Sequence, residues 1–489
     1  MLNKWKQTIS KFVCFVLTCQ LFILTVWAKP DWPSDTGIMA EAGIVMDMDS
    51  GAILYGQNIH LTYPPASITK ILTALIVLEN CNLDDTVTFS TTAVNQVEAD
   101  SGNKISVVAG DELSVEDCLY SMLLVSCNQA ANALAEHTAG SISAFVNMMN
   151  EKLAQLGCQE SHFENPSGLN GDNQYVSAYD MALIAQAAYD NETLVEISSA
   201  TTHKIAPTTQ NPDGFTIRGE HRLCVTEDPS SPYYYPEAVA GKTGYLIKAG
   251  NTLVTYAVKD NRRLISVILK GQPRQYFVDG KALLEFGFRS FQDYTVADYE
   301  SRYVTGNETI NLDKGSFQAS DLMIDPDSVI TLPNGASFED ADITLGALPE
   351  ISPDNAVALL TYSYNDRTIG TAYLLAKDGV TIDGNDSAAE AATTAFDTAN
   401  AEAPLATAFN AEKPQRPHKH ISVAGVLITI LIVLLVLGVI GLISWFIYSK
   451  KKEAKALAKR RERRRQRLQR SGDEEEFERL LAEYKNKKK

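Results

Sequence analysis

Pro64-Pro65-Ala66-Ser67-Ile68-Thr69-Lys70-Ile71-Leu72-Thr73-Ala74-Leu75-Ile76-Val77-Leu78-Glu79 is the stretch around which the rest of the sequence organises. Paired prolines break any preceding regular element, and Ile71, Leu72, Leu75, Ile76 and Leu78 then recur at helical spacing. The pattern predicts a helix from Ile68 to Glu79 with Ser67 at or near its N-terminus. Positions i and i+3 share a helix face, so the Lys70 amine comes within reach of the Ser67 hydroxyl. A neutral amine there takes the hydroxyl proton as the oxygen attacks a carbonyl, and keeping it neutral requires burial or a nearby positive charge. Two further Ser-x-x-Lys matches start at Ser101 and Ser449. The first lies in the polar stretch 98–104 and the second in a basic flank, so neither has an apolar helix behind it.

Upstream of that helix, Ile44-Val45-Met46-Asp47, a turn at Asp49-Ser50-Gly51 and Ile53-Leu54-Tyr55 read as a β-hairpin. Downstream, helical patterns run over 115–125, 129–137, 145–156 and 178–189. Residues 253–258 and 264–269, joined through Asp260-Asn261-Arg262, read as two paired strands. Past Tyr294 come short strand-like runs such as Val329-Ile330-Thr331-Leu332 and 357–364, separated by Gly, Asp and Pro, which predict a small all-β domain.

Two more short motifs carry chemistry. Ser126-Cys127-Asn128 falls in the connection between two helices, where side chains can face a cleft or simply cap the next helix. Ser101-Gly102-Asn103 and Ser363-Tyr364-Asn365 repeat the spacing in less suitable surroundings. Lys242-Thr243-Gly244 is the only such tripeptide in the chain and is expected just before a strand. Lys242 offers a fixed cation and Thr243 a hydroxyl for a carboxylate, and Gly244 lets a ligand backbone lie close. The bland reading of Lys242 is a solvated lysine in a turn.

The ends of the 489-residue chain differ from its middle. Lys4, Lys6 and Lys11, a hydrophobic run over 12–27 and Ala28 fit a secretory signal, residues 1–28. Residues 421–448 are long and apolar enough to span a bilayer, and the 17 Lys/Arg against 8 Asp/Glu in 450–489 place that tail in the cytoplasm. Between Lys29 and Ser449 the net charge is −29, which excludes nucleic-acid binding as an expectation. Residues 386–420, rich in Ala, Thr, Glu and Pro, read as a flexible stalk. Seven scattered histidines without a His-Glu-x-x-His pattern point to no metal site. Outside the leader are five cysteines, an odd number, so at least one is free or pairs between chains.

The order Ser-x-x-Lys, Ser-x-Asn, Lys-Thr-Gly is that of penicillin-binding proteins and class A β-lactamases. Residues 123–140 (LLVSCNQAANALAEHTAG), 163–169 (FENPSGL), 178–184 (AYDMALI) and 240–250 (AGKTGYLIKAG) resemble the serine-type D-Ala-D-Ala carboxypeptidases, the low-molecular-weight penicillin-binding proteins. The resemblance is strong from Gly43 to Phe291 and looser beyond. It implies an α+β fold: a penicillin-binding/β-lactamase-like transpeptidase domain over 36–291, helices packed on an antiparallel sheet, then a small β-rich domain over 292–385 and a single transmembrane helix. It also implies Ser67 as nucleophile, Lys70 as general base and Ser126 as proton relay. Asn128, Lys242, Thr243 and Gly244 would bind substrate, with the backbone N–H groups of Ser67 and Tyr245 as oxyanion hole. The implied substrate is a peptidoglycan stem peptide ending in D-Ala-D-Ala, β-lactams are covalent inhibitors and no cofactor is needed. The implied location is a single-pass bacterial cell membrane protein with the catalytic domain outside.

The alternatives are a class A-like β-lactamase, for which Glu164 would be the deacylating carboxylate, a transpeptidase, and a non-enzymatic wall-binding module. One departure from the family pattern is Cys127 at a position that is more often Gly, where a thiol beside the cleft is expected to make activity sensitive to alkylation.

Overall fold

The computed structural model describes residues 29–34, 36–98, 101–349 and 351–382. The signal segment 1–28, the stalk, the 421–448 span and the basic tail lie outside the described residues. Among those described, no helix is long and apolar enough to cross a membrane.

The central element is a five-stranded antiparallel sheet. Its strands are β1 (Ala42–Asp47), β2 (Ile53–Gln57), β3 (Ala238–Leu246), β4 (Gly250–Lys259) and β5 (Arg262–Gly271), in the order β2-β1-β5-β4-β3. The expected hairpin is β1–β2, and the expected strand pair is β4–β5. The β4–β5 turn uses Asp260 and Asn261 at φ 50° and 64°, the doubly left-handed geometry that suits right-twisted strands. Alternation along the strands is apolar on both faces. Ile44, Met46, Val254, Tyr256, Ile265 and Val267 face one cluster, whereas Val45, Leu253, Ala257, Leu264 and Ile268 face another. Such strands need a layer on each side.

On the first face lie helices α1 (Lys70–Asn80), α2 (Val115–Leu124), α3 (Asn128–Ala139), α4 (Ile142–Gln155) and α5 (Ala178–Tyr189). α1 is buried from Lys70 to Val77, so it is apolar all round and forms the centre of the helical layer. The second face is covered by α6 (Gln275–Ser290) through Phe277, Leu283, Leu284 and Phe286. α6 was not expected from the sequence, and neither was the short helix Glu192–Ser199.

From Phe291 onward the described elements are mostly strands. Phe291–Thr295 pairs with Val329–Pro333, and a four-stranded sheet runs in the order Leu322–Ile324, Arg367–Ala376, Ala356–Tyr364, Asp342–Gly346. These strands bury their own cluster, including Leu322, Ile330, Leu360, Tyr362 and Leu374. All described residues belong to one compact unit.

Candidate active site

The serine, lysine and Lys-Thr-Gly elements converge where α1 begins beside the edge strand β3. A 3₁₀ turn over Ala66–Thr69 leads into α1, and Ala66 at φ 52° occupies a backbone region that costs a non-glycine residue about 1–3 kcal/mol. That turn leaves Ser67 half-buried and Lys70 fully buried. Lys70 Nζ donates to Ser67 Oγ at 3.0 Å, to Asn128 Oδ1 at 2.8 Å and to the Ser167 carbonyl. Burial, and secondarily the charge of Lys242, holds the Lys70 amine well below the ordinary lysine value. Both conditions named for a neutral base are therefore present.

Ser126 sits in the turn between α2 and α3 at φ 62°, half-exposed. It enters none of the hydrogen bonds that tie Ser67, Lys70 and Asn128 together among the described residues. Neither Ser126 nor Asn128 caps α3. The cap is Cys127, whose sulfur accepts from Ala130 N at 3.4 Å. Cys127 is wholly buried among the apolar side chains of the helical layer, and burial pushes its thiol up to about 11. This corrects the expectation of an alkylation-sensitive thiol beside the cleft, because the thiol points into the core and stays protonated. The five cysteines Cys81, Cys118, Cys127, Cys158 and Cys224 are all free.

Lys242-Thr243-Gly244 lies inside β3, not before a strand, with Lys242 buried rather than solvated in a turn. Its amine donates to the Thr243 carbonyl at 2.8 Å, and burial lowers its pKa to about 8 against the opposing pull of Glu220. Gly244 has no room for a side chain. A Cβ there would lie 2.8 Å from Ser67 N and 2.3 Å from Thr252 Oγ1, so only glycine lets β3 lie against the nucleophile turn. Thr252 Oγ1 also donates to the Pro65 carbonyl at 2.9 Å, fastening the sheet to the same turn. Tyr245, the next residue, is exposed.

Behind β3 is a layer that sequence reasoning missed. His221 Nε2 lies 3.1 Å from the Val254 carbonyl and 3.2 Å from Thr255 Oγ1, and Nδ1 lies 3.2 Å from Cys224 Sγ. Burial lowers His221 to about 4, so at neutral pH it is an uncharged packing group behind Lys242.

The 163–169 stretch supplies two contacts to α1: the Ser167 carbonyl on Lys70, and the Pro166 carbonyl, which accepts from Thr73 Oγ1 at 2.7 Å. Glu164, the residue a β-lactamase would need as a base, spends its carboxylate on Asn173 N at 3.1 Å. The decoy residues make other contacts. Ser101 Oγ donates to the Glu98 carbonyl, Lys104 pairs with Glu220 at 3.3 Å, and Ser363 lies in the C-terminal sheet.

Comparison with known proteins agrees with this geometry. The family model for D-alanyl-D-alanine carboxypeptidase, Peptidase_S11, matches residues 29–272. The D-alanyl-D-alanine carboxypeptidase DacB2 of Mycobacterium tuberculosis is 34% identical over 265 residues, 53% of this chain and 84% of the relative. DacA of Haemophilus influenzae is 31% identical over 354 residues, 69% of this chain and 84% of the relative. The solved penicillin binding protein 5 from Haemophilus influenzae superposes with a TM-score of 0.53 at 25% identity, covering 71% of this chain and 98% of that one. A serine bonded to a buried lysine, a glycine-lined edge strand and these likenesses agree: the chain belongs to the D-alanyl-D-alanine carboxypeptidase family of serine peptidases.

Proposed function

We propose that this protein removes the terminal D-alanine from peptidoglycan stem peptides through an acyl-enzyme on Ser67, and that penicillins acylate the same oxygen. The observation that carries the reading is the 3.0 Å contact between Lys70 Nζ and Ser67 Oγ, made by a fully buried amine. Lys70 takes the Ser67 proton as Oγ bonds to the penultimate carbonyl carbon. The resulting oxyanion sits between the N–H groups of Ser67 and Tyr245, each contributing about 3–4 kcal/mol if it behaves as in other acyl-transfer sites. The C–N bond then breaks, and the proton passes from Lys70 through Ser126 to the departing amine. Asn128 holds the substrate amide with its NH₂ group, since its oxygen is engaged by Lys70. Lys242 and Thr243 bind the terminal carboxylate. Water releases the shortened peptide and restores the Ser67 hydroxyl.

The decisive assay incubates the purified outer portion with a peptide ending in D-Ala-D-Ala and measures D-alanine with and without penicillin. Release that survives Ser67→Ala, or labelled antibiotic that never attaches to Ser67, sinks the reading.

The reading extends to the rest of the chain. A cleaved signal over 1–28, a span over 421–448 and a cytoplasmic tail over 449–489 hold the catalytic domain on the outer face of a bacterial membrane, with 292–385 as a separate β-rich domain. Its support is the apolar length of the two segments and the basic charge of the tail. Protease added to intact cells should digest the catalytic domain and spare a tag on the C-terminus; a cleaved tag with a spared catalytic domain reverses the orientation, and cleavage of both rules out a single span.

A further inference from the structure

A protonated lysine carries three N–H donors, whereas a neutral one has two donors and a lone pair. Of the three partners of Lys70 Nζ, the Asn128 side-chain oxygen and the Ser167 carbonyl can only accept. When Lys70 is neutral its two N–H groups go to those oxygens. The lone pair is then left facing the one partner that owns a proton, the Ser67 hydroxyl. The base is thus aimed by two acceptors, and one of them is a backbone group 97 residues downstream.

The turn that carries this carbonyl is closed from within by one side chain, Asn165. Asn165 Oδ1 accepts from Ser167 Oγ at 3.1 Å, Gly168 N at 2.8 Å and Leu169 N at 3.1 Å, while its Nδ2 donates to the Leu169 carbonyl at 3.1 Å. The turn closed in this way is pressed onto α1. Gly168 has φ +81°, and a Cβ there would lie 1.9 Å from the Ala66 carbonyl oxygen. Thr73 holds the Pro166 carbonyl one turn further along the same helix. On the outer side, Gln174 Oε1 accepts from Glu164 N and Asn165 N at 3.0 and 3.1 Å.

We propose that Asn165 is a positioning residue for acylation: by closing the 166–169 turn it fixes the Ser167 carbonyl, which directs the Lys70 lone pair onto the Ser67 hydroxyl. The proposal rests on the Ser67–Lys70 acyl-enzyme reading. It adds no bond-making step, since the proton still travels from Ser67 Oγ to Lys70 Nζ and Asn165 touches neither atom.

The test is the second-order rate of benzylpenicillin acylation, per folded molecule, from pH 5 to 10. It compares wild type with Asn165→Ala and Asn165→Asp, each first shown to melt as a native protein. Asn165→Ala should lose about a hundredfold on the plateau, the usual cost of a misplaced catalytic group. Asn165→Asp retains the triple acceptor but loses the Nδ2 bond to the Leu169 carbonyl, so it should recover part of that rate. In Asn165→Ala the acid limb, which reports loss of the Lys70 proton, should also move to higher pH, because burial is the chief cause of the lowered lysine pKa and the turn is part of its cover. A defect of folding alone would lower the amount of native protein and leave that limb where it was.

Should Asn165→Ala not fold, Asn165→Gln supplies the same test, since its extra methylene carries the oxygen off the three donors. Wild-type rate and pH profile in Asn165→Ala or Asn165→Gln overturn the proposal, and so does an Asn165→Asp protein as slow as Asn165→Ala. If wild type itself forms no adduct, the Ser67–Lys70 reading has failed and the proposal falls with it.

Discussion

The indole Nε1 of Trp32 donates to the Leu54 carbonyl at 3.0 Å, which ties the segment before the first strand to the edge of the central sheet. The same ring lies 4.9 Å from Phe291 and 6.2 Å from Tyr364, with Arg367 over it at 5.4 Å. One side chain therefore touches the central sheet, the strand that follows α6 and the C-terminal sheet. Trp32→Ala should lower stability by about 2 kcal/mol, less than for a fully buried tryptophan because Trp32 is half-buried. The urea midpoint reads this directly, and an unchanged midpoint would show that the segment is not a strap.

The two buried lysines set opposite limbs of the pH profile. Lys70 works as a base only when neutral, so activity should rise with pH as its proton is lost. Lys242 binds a carboxylate only when charged, and its pKa is lowered to about 8. Above that pH, kcat/KM for a D-Ala-D-Ala peptide should fall about tenfold per unit. Activity that climbs steadily to pH 10 would remove Lys242 from carboxylate binding.

Burial of Lys242 also has a cost to the fold. Its folded pKa lies below its unfolded value, so the penalty is complete below about pH 8 and disappears as pH rises through 10.5. That penalty is on the order of a few kcal/mol at neutral pH. Lys242→Met should therefore abolish peptide cleavage while raising stability at pH 7, a gain that shrinks by pH 10. Equal denaturation midpoints for the two proteins at pH 7 would count against this account.

How much of this could be read beforehand depends on how local each feature is. Ser67 and Lys70 are three residues apart on one helix, and the helix has an unmistakable apolar period, so the pair was legible. The β1–β2 hairpin and the β4–β5 pair were legible for the same reason. The Lys-Thr-Gly strand was misplaced because two glycines within four residues look like a turn. It forms a strand since β3 is an edge, where glycine is tolerated, and pairing with β4 over Leu246–Ala238 holds it. The direction of Cys127 was invisible, because composition reports the residue and not the side of the turn it occupies. The Ser167 carbonyl left no mark at all, being a backbone group whose role exists only once two segments 97 residues apart are packed together.

Cys127 makes a chemical prediction. A thiol that caps α3 inside the core, with its pKa near 11, is neither exposed nor nucleophilic at neutral pH. Iodoacetamide at pH 7.5 should leave native activity intact and label Cys127 only after unfolding, as peptide mapping would reveal. Rapid inactivation with the label on Cys127 would mean that the turn opens in solution. Cys127→Ser should fold, because serine is a stronger N-cap than a thiol and offsets much of the lost apolar burial.

Arg262 joins two acidic groups that would otherwise be left without a cation. Its Nη2 lies 3.1 Å from Asp47 Oδ2 and its Nε 2.9 Å from Asp293 Oδ2, while Thr331 Oγ1 donates to Asp293 Oδ1 at 2.9 Å and meets Ser50 Oγ at 2.7 Å. The cluster thus connects the β1–β2 turn to the strand pair Phe291–Thr295 and Val329–Pro333. Burial, with Asp293 next to it, raises Asp47 to about 7 even though Arg262 pulls the other way. A carboxyl whose folded pKa is raised binds its proton more tightly in the folded state. Its contribution is therefore present below about pH 3.8 and is lost as pH rises through 7. Removing the guanidinium takes away the larger of two opposing pulls, the other being the Ser50 N–H, so Arg262→Ala should cost about 3–5 kcal/mol at pH 8, where Asp47 must either stay ionised without its cation or take up a proton. At pH 5, where Asp47 holds a proton, the loss should be clearly smaller. Urea titrations at the two pH values measure the difference, and an equal loss at both would show that Arg262 acts through packing and not through charge.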